Sequence, residues 1–260
     1  MPRLHTFALL VLLMGIVLAP ASSLPKTETG KGTLSDNQTI QSRTLGYKLQ
    51  YRVYLPDGYD DASNLPVLYV TDGQWYIDRG EVPQVLDQLI ADGTINPVIA
   101  VFVDNRDPDN LSNNRRNRQF FCNTQYIRFF TDELAPAIDT HYKTRADRTG
   151  RVILGLSFGG LNSACFGLHA HAAFEGIAMQ SPAMHPVPSL FSAYQDSTRL
   201  PLKIFLSSGT KNDNEARTRR LKRILESKGY EMWYVEVPYG HEWANWKPLI
   251  DDVLRYYFGA

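Results

Sequence analysis

The sequence predicts an α/β fold with a mainly parallel central sheet and helices on both faces. Short apolar runs at 67–70, 98–103 and 152–154 are rich in valine and isoleucine and show little alternation, as strands covered on both faces do. Segments with helical spacing separate them, notably 82–90 and 126–138, where Phe129, Phe130, Leu134 and Ile138 fall about one turn apart. The order then continues, with strand-like runs at 177–179, 204–206 and 233–237 and helices expected over 215–227 and 246–257. Strands that alternate with helices pair in parallel through crossovers. In such sheets ligands bind beyond the carboxyl ends of the strands, so candidate chemistry is sought there.

From the amino end, residues 1–21 read as a signal peptide. They have a short basic flank, an apolar run over 7–19, and small residues at Ala19, Ala21 and Ser22, with cleavage expected near Ala21. The run is short for a bilayer span of about 20 residues. No stable membrane anchor is therefore expected after cleavage, and the location expected is periplasmic or secreted. A polar lead-in over 22–44 precedes one domain over 45–260, a length that buries a sizeable core. The first strand of that domain, 47–55, mixes aromatic, β-branched and polar residues in rough alternation and stops at Pro56-Asp-Gly, as an outer antiparallel strand would.

Lys plus Arg and Asp plus Glu are each 27, for a formal net charge of zero. No global field would hold nucleic acid or an anionic membrane, so neither is an expected partner. The basic run ARTRRLKR over 216–223 places Leu221, Ile224 and Leu225 at helical spacing and reads as an amphipathic helix with a solvated charged face. The oxygen-rich segment 104–114 lacks the spacing of a calcium loop, and no histidine or cysteine cluster suits zinc; neither metal nor cofactor is expected. The two cysteines, Cys122 and Cys165, could pair in an exported protein, and Cys165 could equally pack as a small apolar residue on a helix. Asn37-Gln-Thr and Asn110-Leu-Ser fit the glycosylation triplet, which occurs often by chance.

One stretch concentrates the chemistry. Gly155-Leu-Ser157-Phe-Gly159 follows the run ending at Leu154 and precedes the helical LNSACFGLHA, the place a G-x-S-x-G nucleophile elbow requires. The glycines let strand and helix approach closely around a strained serine, and the helix amino terminus favours negative charge developing beside it. A serine hydroxyl needs a base. Of six histidines, His5 lies in the leader, His141 in a polar loop, and His169 and His171 on different faces of the helix after the elbow. His185 could line the cleft but precedes any acid in the expected order, whereas His241 follows the run 233–237 through Pro-Tyr-Gly at a strand's carboxyl end. The order Ser, acid, His selects His241 and places the acid in the loop after 204–206. Asp213 is the candidate, its competing role being a helix cap; Glu215, or a Ser and His pair alone, is the alternative. Two N–H donors for an oxyanion are expected from Phe158 and from Gln74, in the loop Thr71-Asp72-Gly73-Gln74-Trp75, where Gly73 permits close backbone approach and is expected to contact substrate. Trp75, Tyr76, Trp243 and Trp246 would form an apolar wall for substrate, with core packing their competing role.

With these pieces in view, the chain resembles the esterase D and enterochelin esterase group of α/β-hydrolases, whose relatives include feruloyl esterases and mycolyltransferases. The marks are LPVLYVTDGQWY over 65–76, ILGLSFGGLNSACFGL over 153–168 and YGHEWANW over 239–246. The resemblance implies an α/β-hydrolase fold and a serine carboxylic ester hydrolase acting on a small-molecule ester, with siderophore and feruloyl esters as candidates. It departs in two places. The group's acid usually stands fourth in a Gly-x-x-Glu/Asp turn, where this chain has Asn212, with Asp213 one step later. Where the group often shows Arg-x-x-Glu, this chain has Arg116-Asn-Arg-Gln119, and Arg116 is expected to line the cleft and hold a substrate oxygen. An acyltransferase using the same acyl-enzyme, and a non-catalytic carbohydrate or siderophore binder, are the alternative readings. No feature of the sequence sets an oligomeric state.

Overall fold

A computed structural model describes Met1 and residues 30–260. Apart from Met1, the expected signal peptide lies outside the described residues. Among those residues, no helix is long and apolar enough to cross a membrane.

The strands are β1 (Thr33–Leu34), β2 (Gln38–Gln41), β3 (Lys48–Leu55), β4 (Val67–Thr71), β5 (Ile99–Asp104), β6 (Arg106–Asp107), β7 (Asn110–Asn114), β8 (Arg151–Leu156), β9 (Gly176–Gln180), β10 (Lys203–Gly209) and β11 (Met232–Val237). The helices are α1 (Gly73–Asp78), α2 (Val82–Ala91), α3 (Arg116–Phe120), α4 (Thr124–Phe129), α5 (Ala135–His141), α6 (Phe158–His169), α7 (Ser189–Asp196), α8 (Glu215–Ser227), α9 (Trp243–Trp246) and α10 (Leu249–Phe258). The main sheet runs β1-β3-β5-β4-β8-β9-β10-β11, with β2 also on β3. From β5 to β11 every pairing is parallel, and β3 is antiparallel to β5. This is the expected α/β-hydrolase architecture.

Burial explains the strand sequences. All five residues of β4 and of β9 are buried, which is why their runs lack alternation. Successive residues of β4 still serve opposite faces: Val67 and Tyr69 join the core with Phe130 and Phe166, and Leu68 and Val70 join the one with Leu86 and Ile250. Helix α6 runs beneath the sheet centre with nine buried residues, so it is apolar on most sides.

The structure corrects several expectations of detail. The lead-in carries β1 and β2, which cover the free edge of β3, so β3 is not the outermost strand. The segment 104–114 holds a β6–β7 hairpin. Helix 126–138 is interrupted by a π turn at Phe130–Leu134, just before Pro136, whose missing N–H breaks the regular ladder. Helix 246–257 is two helices parted at Pro248 for the same reason. Helix α7 had no clear signature. The cysteines do pair: Cys122–Cys165 joins the turn after α3 to α6, with Cα atoms 5.2 Å apart.

Strand order reverses direction between β4 and β8, since β4 leads outward to β5 while β8 begins the run toward β11. The crevice at their carboxyl ends is the point where such sheets bind ligands.

Candidate active site

Ser157 stands in that crevice, between β8 and α6, with φ 57° and ψ −117°. This is a strained conformation for a residue with a Cβ. Neighbours hold it there: Ser157 N–H donates to Gln180 O at 2.8 Å, and its carbonyl accepts from Ala183 N–H at 3.0 Å. The elbow needs its glycines for space, because a Cβ at Gly155 would collide with the Gly159 carbonyl.

The structure brings the Ser157, His241 and Asp213 side chains into one hydrogen-bonded chain. His241 Nε2 lies 2.7 Å from Ser157 Oγ, and His241 Nδ1 lies 2.5 Å from Asp213 Oδ1. A proton on Nδ1 and a bare Nε2 satisfy both contacts. The Asp213 side chain is fully buried while that of His241 is about one-third exposed. Burial pushes the Asp213 carboxyl up, but hydrogen bonds from His241, Ser181 and the Gly209 and Asn214 N–H groups outweigh it and hold the group below the usual range. The one-residue offset of the acid is absorbed by Asn212, which adopts φ 57°, a left-handed turn that asparagine tolerates better than most residues. Glu215, the alternative acid, instead accepts from Asp213 N–H at 3.1 Å.

On the other side of Ser157, the first turns of α1 and α6 present Gln74 and Phe158. Among the described residues, neither backbone N–H has a protein acceptor. The Gln74 side chain is engaged elsewhere, donating to Asn105 Oδ1 at 3.1 Å.

Of the four residues expected to bind substrate, Arg116, Gly73 and Trp246 lie behind the site. Arg116 forms a bidentate pair with Asp72, Nε to Oδ1 and Nη2 to Oδ2 both at 2.8 Å, and Nη2 also reaches Leu156 O at 3.2 Å. Its side chain is 12 % exposed and that of Asp72 is 0 % exposed, so the guanidinium neutralises a buried carboxylate instead of awaiting an oxygen from solvent. Burial pushes the Asp72 carboxyl up and Arg116 pulls it down. Gly73 packs on β5, where a Cβ would meet the Phe102 backbone at 2.5 Å. Trp246 is 6 % exposed, with its indole N–H on Ser181 Oγ at 2.9 Å and its ring edge-on to His241, centroids 4.9 Å apart. Of the expected wall, Trp75 is half-buried under the Arg116 guanidinium, 5.4 Å from its ring. Tyr76 and Trp243 pack edge to face.

The open cavity at Ser157, about 270 Å³, is bounded by Phe158, Ala183, His185, Asn214 and His241. A larger cleft of about 630 Å³, bordered by Arg199, Lys203, Glu231 and Tyr256, lies at the amino ends of β10 and β11, far from this chemistry. Sequence reasoning missed Asp72, Ser181 and Asn245. Ser181 carried one usable signal, a hydroxyl directly after β9.

Comparisons with known proteins place the chain in a family. A family model described as Putative esterase matches residues 42–257. The uncharacterized protein YjcH of Bacillus subtilis is 27 % identical, covering 86 % of this chain and 97 % of its own. The endo-1,4-beta-xylanase/feruloyl esterase of Xylanibacter ruminicola is 25 % identical over 85 % of this chain, which spans only 31 % of that protein. The enterobactin esterase of Shigella flexneri, solved in the presence of enterobactin, superposes with a TM-score of 0.77 at 21 % identity, covering 85 % of this chain and 58 % of its own. The chain thus belongs to the Putative esterase family, as an α/β-hydrolase of the carboxylic ester hydrolase class.

Proposed function

We propose that the protein is an exported serine esterase. Ser157 Oγ attacks the ester carbonyl carbon while its proton passes to His241 Nε2. Negative charge gathers on the carbonyl oxygen, which the Phe158 and Gln74 N–H groups receive at the positive end of α6. Asp213 keeps the imidazole in the required tautomer and stabilises the imidazolium. His241 then gives the proton to the departing alcohol oxygen, leaving the acyl group on Ser157. Water enters, loses a proton to His241 and attacks the acyl carbon; the acyl–Oγ bond then breaks, His241 returns the proton to Ser157 Oγ, and the acid leaves.

The observation that carries this reading is the unbroken contact from Ser157 Oγ through His241 to Asp213, at 2.7 and 2.5 Å. Export is supported by the apolar run 7–19 and by the Cys122–Cys165 disulfide, a bond that persists in oxidising compartments. The cavity of about 270 Å³, with Phe158 and His185 on its walls, suits a small or single-ring acyl group. Feruloyl and siderophore esters therefore lead the substrate panel, beside short acyl esters. The test is p-nitrophenyl acetate hydrolysis by the wild type and Ser157→Ala. The variant is expected to lose all but about one part in 10⁴ or less of the rate, and equal rates in the two purified proteins would end the reading.

A further inference from the structure

We infer that Asn245 and Ser181, braced by the Trp246 indole, are positioning residues that lock the Asp213 carboxylate and the His241 loop into one unit on which turnover depends. The inference rests on the serine esterase reading above. Asp213 Oδ1 faces His241, which leaves Oδ2 charged in a place closed to solvent. Its partners are all neutral: Ser181 Oγ and Gly209 N–H at 2.5 Å, Asn245 Nδ2 at 3.0 Å and Ser208 Oγ at 3.3 Å. Neutral donors satisfy the oxygen without bringing a second cation to compete with the imidazolium.

The Asn245 amide does more than solvate the acid. Its two N–H hydrogens are shared among Asp213 Oδ2, Ser181 Oγ at 3.1 Å and Gly240 O at 3.0 Å, and Gly240 directly precedes His241. One NH₂ group thereby ties the acid to the loop that carries the base. Among the described residues Asn245 Oδ1 is buried with no partner; turning the amide over would set that oxygen against three acceptors, so the nitrogen contacts dictate its orientation.

Ser181 is placed with equal care. It follows β9 at φ 46°, outside the usual range for serine, and its N–H is fixed on Ser207 O at 2.8 Å. Its hydroxyl accepts from Trp246 Nε1 and Asn245 Nδ2, so the one remaining hydrogen points to Asp213. The Trp246 carbonyl in turn accepts from Gln180 Nε2, and Gln180 Oε1 accepts from buried Tyr76, linking the His241 loop to α1. The other titratable groups facing this unit are Glu215 on α8, Glu242 beside His241, and His185 across the cavity.

The experiment measures p-nitrophenyl acetate kinetics against pH for the wild type, Asn245→Ala and Ser181→Ala, with rates normalised to sites titrated by a fluorophosphonate. Expected for both variants is a kcat lower by about ten- to a hundredfold with KM nearly unchanged. The acidic limb of kcat/KM should also move up by about one pH unit, because a carboxylate stripped of donors makes His241 more basic. A lowered melting temperature with wild-type kcat per titrated site and an unmoved acidic limb would overturn the inference. Should Asn245→Ala fail to fold, Ser181→Ala, which removes a single oxygen, decides alone. An active Ser157→Ala defeats the esterase reading itself; an inactive Ser157→Ala beside undiminished Asn245 and Ser181 variants defeats only this proposal.

Discussion

The two sides of Ser157 each hold an aspartate whose side chain is fully buried, and they hold it in opposite ways. Asp213 meets an imidazole and a set of neutral donors. Asp72 meets the fixed charge of Arg116 in a bidentate pair. The difference follows from what each side is asked to do. A group that must help a proton move needs a partner that titrates near neutrality, and imidazole is that partner. A loop that must stay still is better served by guanidinium, which keeps its proton at any working pH. Arg116 bridges Asp72, two residues before Gln74, to Leu156 O, beside Ser157, so the pair fastens together the two proposed sources of oxyanion N–H groups.

The largest expected effect breaks the proton-handling side. Asp213→Asn should fold normally and lose about ten-thousand-fold in kcat, because the amide favours the wrong imidazole tautomer. Steady-state kinetics on p-nitrophenyl acetate read this directly. On the static side the damage should appear first as stability. Asp72→Asn leaves Arg116 buried without its counter-charge, and urea unfolding should show a loss of about 3–5 kcal/mol. If that variant instead keeps its stability and loses activity as Asp213→Asn does, the contrast between the two carboxylates fails.

The static side has a covalent brace as well. Cys122 follows the helix that carries Arg116, and Cys165 lies on the helix that begins at Phe158. Cys122→Ser should cost about 3–4 kcal/mol for a bridge spanning 43 residues. Thermal melts with and without reductant check this, and the variant should not respond to reductant.

The smallest effect is in acid. The Arg219 guanidinium beside Glu236, followed by burial in the opposite sense and a hydrogen bond from Tyr234, leaves the Glu236 carboxyl at about 2, against an ordinary 4.5. A depressed native value means its stabilisation is complete above the unfolded value and drains away as pH falls from 4.5 toward 2. The pair is substantially exposed, so Glu236→Gln should remove no more than about 1 kcal/mol, and only above that window. Asp213 follows the same sign, its native value being lowered too.

Much of this was legible in the sequence because it is written locally. The elbow at Ser157 needs glycines within two residues of it, and β4, β5, β8, β9 and β10 announce burial by unbroken apolar runs. His241 and Asp213 could be placed because chain order and strand ends constrain them. The partners of Asp72, Ser181 and Asn245 were not legible. Arg116 is 44 residues from Asp72, and Asn245 is 64 from Ser181. Sheet order, not spacing, makes such pairs neighbours, and the sequence alone does not state that order. Trp246 shows the same limit: an aromatic near the base reads equally as a substrate wall or as a brace, and burial decides for the brace.

The most direct test is mass spectrometry of the protein after incubation with diethyl p-nitrophenyl phosphate, followed in parallel by ester hydrolysis. A single diethylphosphoryl group on the peptide containing Ser157, with activity falling in proportion to its occupancy, is the predicted result. Hydrolysis that persists with Ser157 fully modified, or an inactivating adduct on another residue, would contradict the account.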